Sequence, residues 1–438
     1  CNGLSLGVKE KEFRTSKFKS GFDPLWMDML EKHAEKPYHC MVGGGDQIYS
    51  DLISFEPSLQ GWLHEPNKKT KRTMPANSTI PMVNMLDDHD LIDGFGTYDD
   101  ATMKGPIFSL IGNRGYFWYL AFQLFTVDAF DGVDYSLGNH WIPSLFFGGM
   151  GPYIKSHAHS LMVYLGPNVA LMALDCRAER TYHQIVSKES YEGAFYAISQ
   201  LPPTVQQLVL LLGVPIAYPR MSFLEHFLGF KYNPAIMLAR HNALGLGSLV
   251  NKFDKEPELL DDLNDHWCAN VHKKERNALV IQLQDIALRQ RLRITFLSGD
   301  VHLCAVGRLF THKHKEGGPE TDHRYMLNVI TSAIVNTPPP GPVAWLVAKL
   351  GGHKHRTLHR KHTDEDMVDV FQKDTDGSHV KRPYVLARRN YASIEYKSSG
   401  ALEFDIRVEK EKGAGTTIGY PVNSPPPQWK AAPAGSLV

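Results

Sequence analysis

Aspartate and histidine recur in this chain at the ends of short apolar runs. Residues 38–42 lead into Gly43-Gly44-Gly45-Asp46, and residues 82–86 into Asp87-Asp88-His89-Asp90. Residues 169–174 lead into Asp175-Cys176-Arg177, and residues 294–297 into Ser298-Gly299-Asp300-Val301-His302. One such knot is explained as a turn, because aspartate and glycine are common turn residues. Four of them, two carrying histidine beside or two residues from aspartate, point to a shared site. Carboxylates and imidazoles arriving from separate elements form the donor set of a metal centre. A mixed set suits iron, manganese or zinc, whereas carboxylates alone suit calcium or magnesium. A phosphoester resists hydrolysis because its anionic oxygens repel a nucleophile. Two ions bridged by a carboxylate would hold those oxygens and lower the pKa of a bound water. Asp46 follows a glycine run that permits a tight turn, and Tyr49, three residues on, can point to the same place from a first helical turn. Asp300 and His302 are expected to share one face of an extended segment, with Val301 turned to the core.

The elements that must position these groups read as buried strands alternating with helices. Apolar runs of this length, bounded by polar knots, are strand signals. Residues 25–33 have a helical period before the first strand. Residues 275–292 have one before the last, with Leu279, Leu283, Ile286 and Ala287 recurring on one face. The alternation predicts a layered α/β core, whose ligands bind beyond the carboxyl ends of its strands. Two insertions interrupt the pattern. Residues 105–130 are rich in aromatics (Phe108, Tyr116, Phe117, Trp118, Tyr119, Phe122, Phe125), and residues 219–263 contain helical stretches. Caps over the site and ordinary packing helices are both open readings of them. Residues 391–396 and 402–408 read as a closing hairpin of the sheet. A catalytic domain is therefore expected over residues 1–409. Residues 410–438, with Pro425-Pro426-Pro427, lack a core pattern and read as a disordered tail.

Composition narrows the partners. Of 438 residues 43% are hydrophobic, ample for a large core. Lys plus Arg and Asp plus Glu number 47 each, so the net charge is zero and no nucleic-acid partner is expected. The apolar run 208–212 is strand-sized, and no run has the length of a transmembrane helix. Five cysteines, odd in number and widely spaced, fit a reduced, cytoplasmic protein. The chain opens on Cys1 and not on methionine, so it reads as a fragment from which an upstream targeting segment is missing. Several other signals are set aside. Gly148-Gly149-Met150-Gly151 lacks the lysine of a phosphate loop, and Asp374-Thr375-Asp376-Gly377 has Pro383 where a calcium loop needs glutamate. His353, His355, His359 and His362, with Arg356 and Arg360, read as a solvated basic loop. Cys176 and Cys304 read as packing residues.

Gly45-Asp46-Gln47-Ile48-Tyr49, Asp87-Asp88-His89-Asp90 and Gly299-Asp300-Val301-His302 together resemble the alkaline phosphatase D (PhoD-like) family of the calcineurin-like metallophosphoesterases. Cys1-Asn2-Gly3, Asp175-Cys176-Arg177 and Asp265-His266-Trp267 with Arg276 extend the resemblance in order, to about residue 408. Segments 213–219 and 334–340 look like a fungal-type branch. The resemblance implies a four-layer α/β/β/α sandwich with helical insertions, and hydrolysis of phosphomonoesters or phosphodiesters. The substrate would be a small-molecule or lipid phosphate ester. It implies Fe(III) with calcium as cofactors, manganese or zinc being the alternatives. By position Cys1, Asp46, Tyr49 and His302 would hold the iron, and Asp46 would bridge to a second metal that Asp300 also binds. Either Asp88 or Asp93 would complete that second site. His89 would act near the leaving group, and Arg177 would clamp a phosphate oxygen. A catalytically inactive scaffold on the same fold is the alternative expectation.

Overall fold

The computed structural model describes residues 3, 8–49, 79–126, 146–220, 265–314, 317–356 and 362–430. Cys1 and most of the second insertion (221–263) lie outside the described residues. Two short strands, β1 (Met41–Gly43) and β2 (Met82–Asn84), pair in parallel. A ten-stranded sheet collects β3 (Phe146–Phe147), β4 (Ser160–Tyr164), β5 (Val169–Ala173), β6 (Gln207–Leu211) and β7 (Arg293–Ser298). It continues with β8 (Cys304–Thr311), β9 (Met326–Ile330), β10 (His355–Arg356), β11 (Thr363–Met367) and β12 (Val385–Leu386). Its order is β10-β11-β8-β9-β7-β6-β5-β4-β3, with β12 on β8. The central β5, β6, β7 and β9 are parallel and the flanks antiparallel. A third sheet holds β13 (Asn390–Tyr396), β14 (Leu402–Glu409) and β15 (Thr417–Ser424). The described helices are α1 (Pro24–Glu35), α2 (Asp100–Met103), α3 (Pro106–Tyr119), α4 (Lys188–Ser199), α5 (Lys273–Gln290) and α6 (Gly341–Gly351).

The central strands read as continuous apolar runs because both of their faces are covered. Ala170, Met172, Leu208, Leu210, Ile294 and Phe296 alternate onto one face, where they pack with Ile198 of α4 and Leu279 and Leu283 of α5. Leu171, Val209, Leu211 and Leu297 point the other way, onto Leu402, Phe404, Ile406 and Val408 of β14. Beyond the small sheets, α1 packs Leu25, Trp26 and Met29 against Ile80, Val335 and Tyr391. The layers thus run helix, large sheet, small sheets, helix, as the α/β/β/α expectation has it. Each such buried aliphatic or aromatic side chain contributes roughly 1.5–3 kcal/mol over leaving it exposed. Among the described residues no helix is long and apolar enough to cross a membrane.

Two sequence expectations change. The 391–408 hairpin does not close the large sheet; with β15 it makes a separate sheet that covers its face. Part of the tail taken as disordered is ordered, since β15 pairs with β14 over Thr417 to Glu409 at one end and Ser424 to Leu402 at the other. β15 escaped detection because an edge strand needs little apolar alternation and tolerates Pro421. Of the first insertion, α3 buries Phe108, Ile111, Tyr116 and Tyr119 in the main core, which makes its inner face an ordinary packing surface. Leu110 and Trp118 on its outer side, and Phe122 and Phe125 beyond its end, are exposed.

Trp429 closes the ordered tail. It is 7% exposed, its Nε1 donates to the Ala287 carbonyl at 3.1 Å, and the Arg293 guanidinium lies 4.6 Å from its ring. Trp429→Ala is expected to lower unfolding stability by about 3 kcal/mol, read as a shift of the urea midpoint. An unchanged midpoint would mean that this segment does not dock.

Candidate metal centre

Two loops leave the small parallel sheet side by side, and a third carboxylate locks them together. Asp90 Oδ2 accepts the Asp46 amide at 2.8 Å and the Asp87 amide at 3.0 Å, while its Oδ1 accepts the Ile48 amide at 2.9 Å. Asp87 caps the short 3-10 turn Asp88–Asp90, with Asp90 as its reciprocal partner. Gly45, at φ +117°, passes so close that a Cβ there would sit 2.3 Å from the Asp87 Cβ. Gly3 donates its amide to the Asp46 carbonyl at 2.8 Å, which anchors the start of the chain to the same loop. Gln123, from the π-turn Leu120–Leu124 that follows α3, reaches Asp90 Oδ1 at 3.3 Å.

Carboxylate oxygens of Asp46, Asp87, Asp88 and Asp300 all lie within 4.8 Å of one another, and Asp46, Asp88 and His89 form an overlapping group on the same criterion. The Tyr49 hydroxyl is 3.2 Å from Asp46 Oδ2 and 3.4 Å from His302 Nε2. Asn336 Nδ2 donates to that hydroxyl, and the His302 amide donates to Ser332 Oγ at 3.2 Å. The His89 ring lies on the Tyr49 ring, centroids 4.4 Å apart. Asp46, Tyr49, Asp88, His89, Asp300 and His302 thus lie together, and Cys1 falls outside the described residues. Asp93 does not join the four-carboxylate group. It is 41% exposed at its side chain and faces His89, with Oδ1 3.8 Å from Nε2, so Asp88 is the residue of this loop in the cluster.

Two expectations about geometry are corrected. Asp300 and His302 do not alternate along an extended segment: their φ angles are +66° and +52°, and that of Asp46 is +53°. Left-handed backbone costs a non-glycine residue roughly 1–2 kcal/mol, and here it turns the chain sharply after β1, at Asp46, and after β7, at Asp300 and His302. Arg177 is not free to clamp a phosphate. Its side chain is 1% exposed, Nη1 and Nη2 grip Asp265 at 2.6 and 2.7 Å, Nη2 also reaches Asp88 at 3.3 Å, and Nε donates to Asp87. It is a buried counter-charge behind the cluster. Asp175, on the same strand end, is likewise occupied. It accepts the amides of Arg177, Ala178 and His159 and the Tyr116 hydroxyl.

Crowding sets the protonation states. Burial, with Asp88 and Asp46 adding to it against the pull of Arg177, pushes Asp87 up to about 8. Burial and Asp46 push Asp90 up to about 7. Burial, then the neighbouring Asp87 and Asp88, hold Asp300 well above the carboxylate range. Burial would raise Asp265 too, but Arg177 and Arg180 outweigh it and hold it low. Burial lowers His302 to about 4, leaving the neutral imidazole that ligates metals. Tyr49 is pushed up by burial and by Asp46. The donor set therefore fits hard or borderline cations: several carboxylates that cannot all ionise without one, a neutral imidazole and a phenol. Asp87, Asp90, Asn336 and Asp265 carry roles that sequence reasoning left unassigned. Only the Asp87-x-x-Asp90 capping-box spacing was a usable signal for any of them.

A model of the family described as PhoD-related phosphatase matches residues 73–245 and 235–417. An uncharacterized protein of Saccharomyces cerevisiae, YGR266W, is 38% identical over 459 aligned residues that take in 90% of this chain. The chain spans 64% of that relative's length. With the matched segments covering most of its length, the chain belongs to the PhoD-related phosphatase family.

Asp87 and Asp90 have ordinary values of 3.8 and folded values of about 8 and 7. Between those limits the metal-free fold binds more protons than the unfolded chain, so its stability falls as pH rises from about 4 to about 8. Chelator-treated protein should therefore melt at progressively lower temperature across that window, and added divalent cation should raise the melting temperature most at its alkaline end. A melting temperature indifferent to pH and to cation would leave the cluster without its charge.

Proposed function

We propose that this chain hydrolyses phosphate esters, monoesters or diesters of small molecules or lipids, through a binuclear or larger metal cluster. The observation that carries the proposal is the convergence of Asp46, Asp87, Asp88 and Asp300 on one volume, with His302 and Tyr49 at its edge. Asp46, Tyr49, Asp88, Asp300 and His302 would hold the ions, with Cys1 as a further ligand by family resemblance. Fe(III) with calcium is the pair that resemblance favours, and manganese or zinc are alternatives. When bound, the ions supply Lewis acidity toward phosphoryl oxygens and toward a water.

The protein's own groups have separable tasks. Asp46 would bridge the ions by family resemblance, and it belongs to both ligand groupings, as Asp88 does. Asp90 holds the Asp46 loop by its amides, so the bridging carboxylate is fixed before any ion arrives. Arg177, itself gripped by Asp265, holds Asp87 and Asp88 from behind. His89, 22% exposed at its side chain, stands on the open side of the cluster, its Nε2 3.8 Å from the Asp93 carboxylate. It is placed to give a proton to the leaving-group oxygen or to stabilise charge there.

The test is turnover of an aryl phosphate by protein reconstituted separately with each candidate metal. His89→Ala should lower kcat by about 10²–10⁴ with metal content kept. Asp46→Asn should lose both activity and a stoichiometric metal. Absence of turnover with every metal, together with no bound metal by elemental analysis, would reject the hydrolase and favour the inactive-scaffold alternative.

A further inference from the structure

Helix α6 begins close to the metal centre. Asn336 donates to the Tyr49 hydroxyl, and only Thr337-Pro338-Pro339-Pro340 separate it from Gly341. Three consecutive prolines make that connection stiff. The helix, GPVAWLVAKLG, turns Val347 and Ala348 inward onto Tyr218, Met367 and Leu303, the residue that follows His302. Its outer side is not the polar face that a surface helix normally shows. Val343 is 39% exposed and Trp345 51% exposed.

Cations surround these apolar groups. Lys349 lies 5.2 Å and the Arg382 guanidinium 5.1 Å from the centroid of the Trp345 ring. Lys381 is exposed beside Arg382. Among the described residues none of these three has a carboxylate partner within ion-pair distance, whereas the acids of neighbouring β11 are each already engaged. Asp364 takes Lys354 at 2.7 Å, Glu365 takes Arg276 at 2.6 Å, and Asp366 takes Arg308 at 2.6 Å. In a chain of zero net charge, one face thus combines uncompensated cations with an exposed tryptophan and valine.

A soluble polyanion would satisfy the cations but leave Val343 and Trp345 in water. The surface of an anionic bilayer takes both: headgroups meet Lys349, Lys381 and Arg382, and the indole settles at the interface between headgroup and acyl chain. We propose that this face docks the protein on an anionic lipid bilayer and thereby presents the metal centre to phosphate esters carried in that bilayer. The second half of the proposal rests on the hydrolase reading above; the docking does not.

Sedimentation of the full chain with vesicles tests it. The protein should pellet with vesicles of phosphatidylcholine mixed with phosphatidylserine and stay in solution with phosphatidylcholine alone. Lys349→Ala and Arg382→Ala should each weaken the binding about fivefold, and Trp345→Ser should weaken it without changing its salt dependence. All three positions are at the surface, so hydrolysis of a soluble aryl phosphate should be unchanged, and a thermal melt verifies the fold of each variant. No pelleting with either vesicle, or equal pelleting with both, overturns the proposal. Binding that ignores Trp345→Ser overturns it in favour of a soluble polyanion. Vesicle binding without turnover of any ester would sink the hydrolase reading and leave the docking intact.

Discussion

Four carboxylates share a volume too small and too dry for all of them to be ionised together. Asp46, Asp87, Asp88 and Asp300 come from three separate stretches of chain, and each is buried or nearly so. Like charges at such spacing repel strongly once water is excluded. Two agents are available to relieve the repulsion: protons, which the raised values of Asp87 and Asp300 record, and cations. One cation is built in, the Arg177 guanidinium, and its grip on Asp265, Asp87 and Asp88 keeps it from doing anything else. Bound cations would meet the rest of the requirement. The fold answers this need by bringing strand ends of two sheets together, β1 and β2 of the small parallel pair and β7 of the large sheet.

The supporting shell is as constrained as the ligands. Asp90 ties the Asp46 and Asp88 loops through three amides. Asn336 and Ser332 do the same for Tyr49 and His302 from the loop after β9, and that loop is held in turn by Asn390 at the start of β13. The small third sheet therefore does more than cover the core. Its first residue fixes a loop two bonds away from a ligand.

Much of this was legible in the sequence. Runs such as Val169-Ala170-Leu171-Met172-Ala173 announce a strand buried on both faces, and the polar knots after β1, β2 and β7 announce where the acidic cluster lies. Asp46, Asp88, His89, Asp300 and His302 could be named because strand-end placement and residue type agreed. Arg177 was misjudged because its partner Asp265 lies 88 positions away and spacing says nothing about which charge a guanidinium will meet. β15 was missed because its contacts are supplied by β14, not by its own apolar pattern. The backbone at Asp300 and His302 was misjudged for a similar reason. Alternation predicts facing only while the chain stays extended, and the φ angles there are left-handed.

Those left-handed positions have a consequence for how such a protein would age. A residue with a Cβ sits uneasily at φ near +60°, whereas glycine rests there at no steric cost and asparagine at little. At 46, 300 and 302 the chain has aspartate, aspartate and histidine, side chains that tolerate this backbone better than most but less well than glycine. Only a use for those side chains opposes drift toward Gly or Asn at these places. Where the demand on those side chains lapsed, replacement by glycine would relax the backbone at these positions first, while the core beneath them stayed the same.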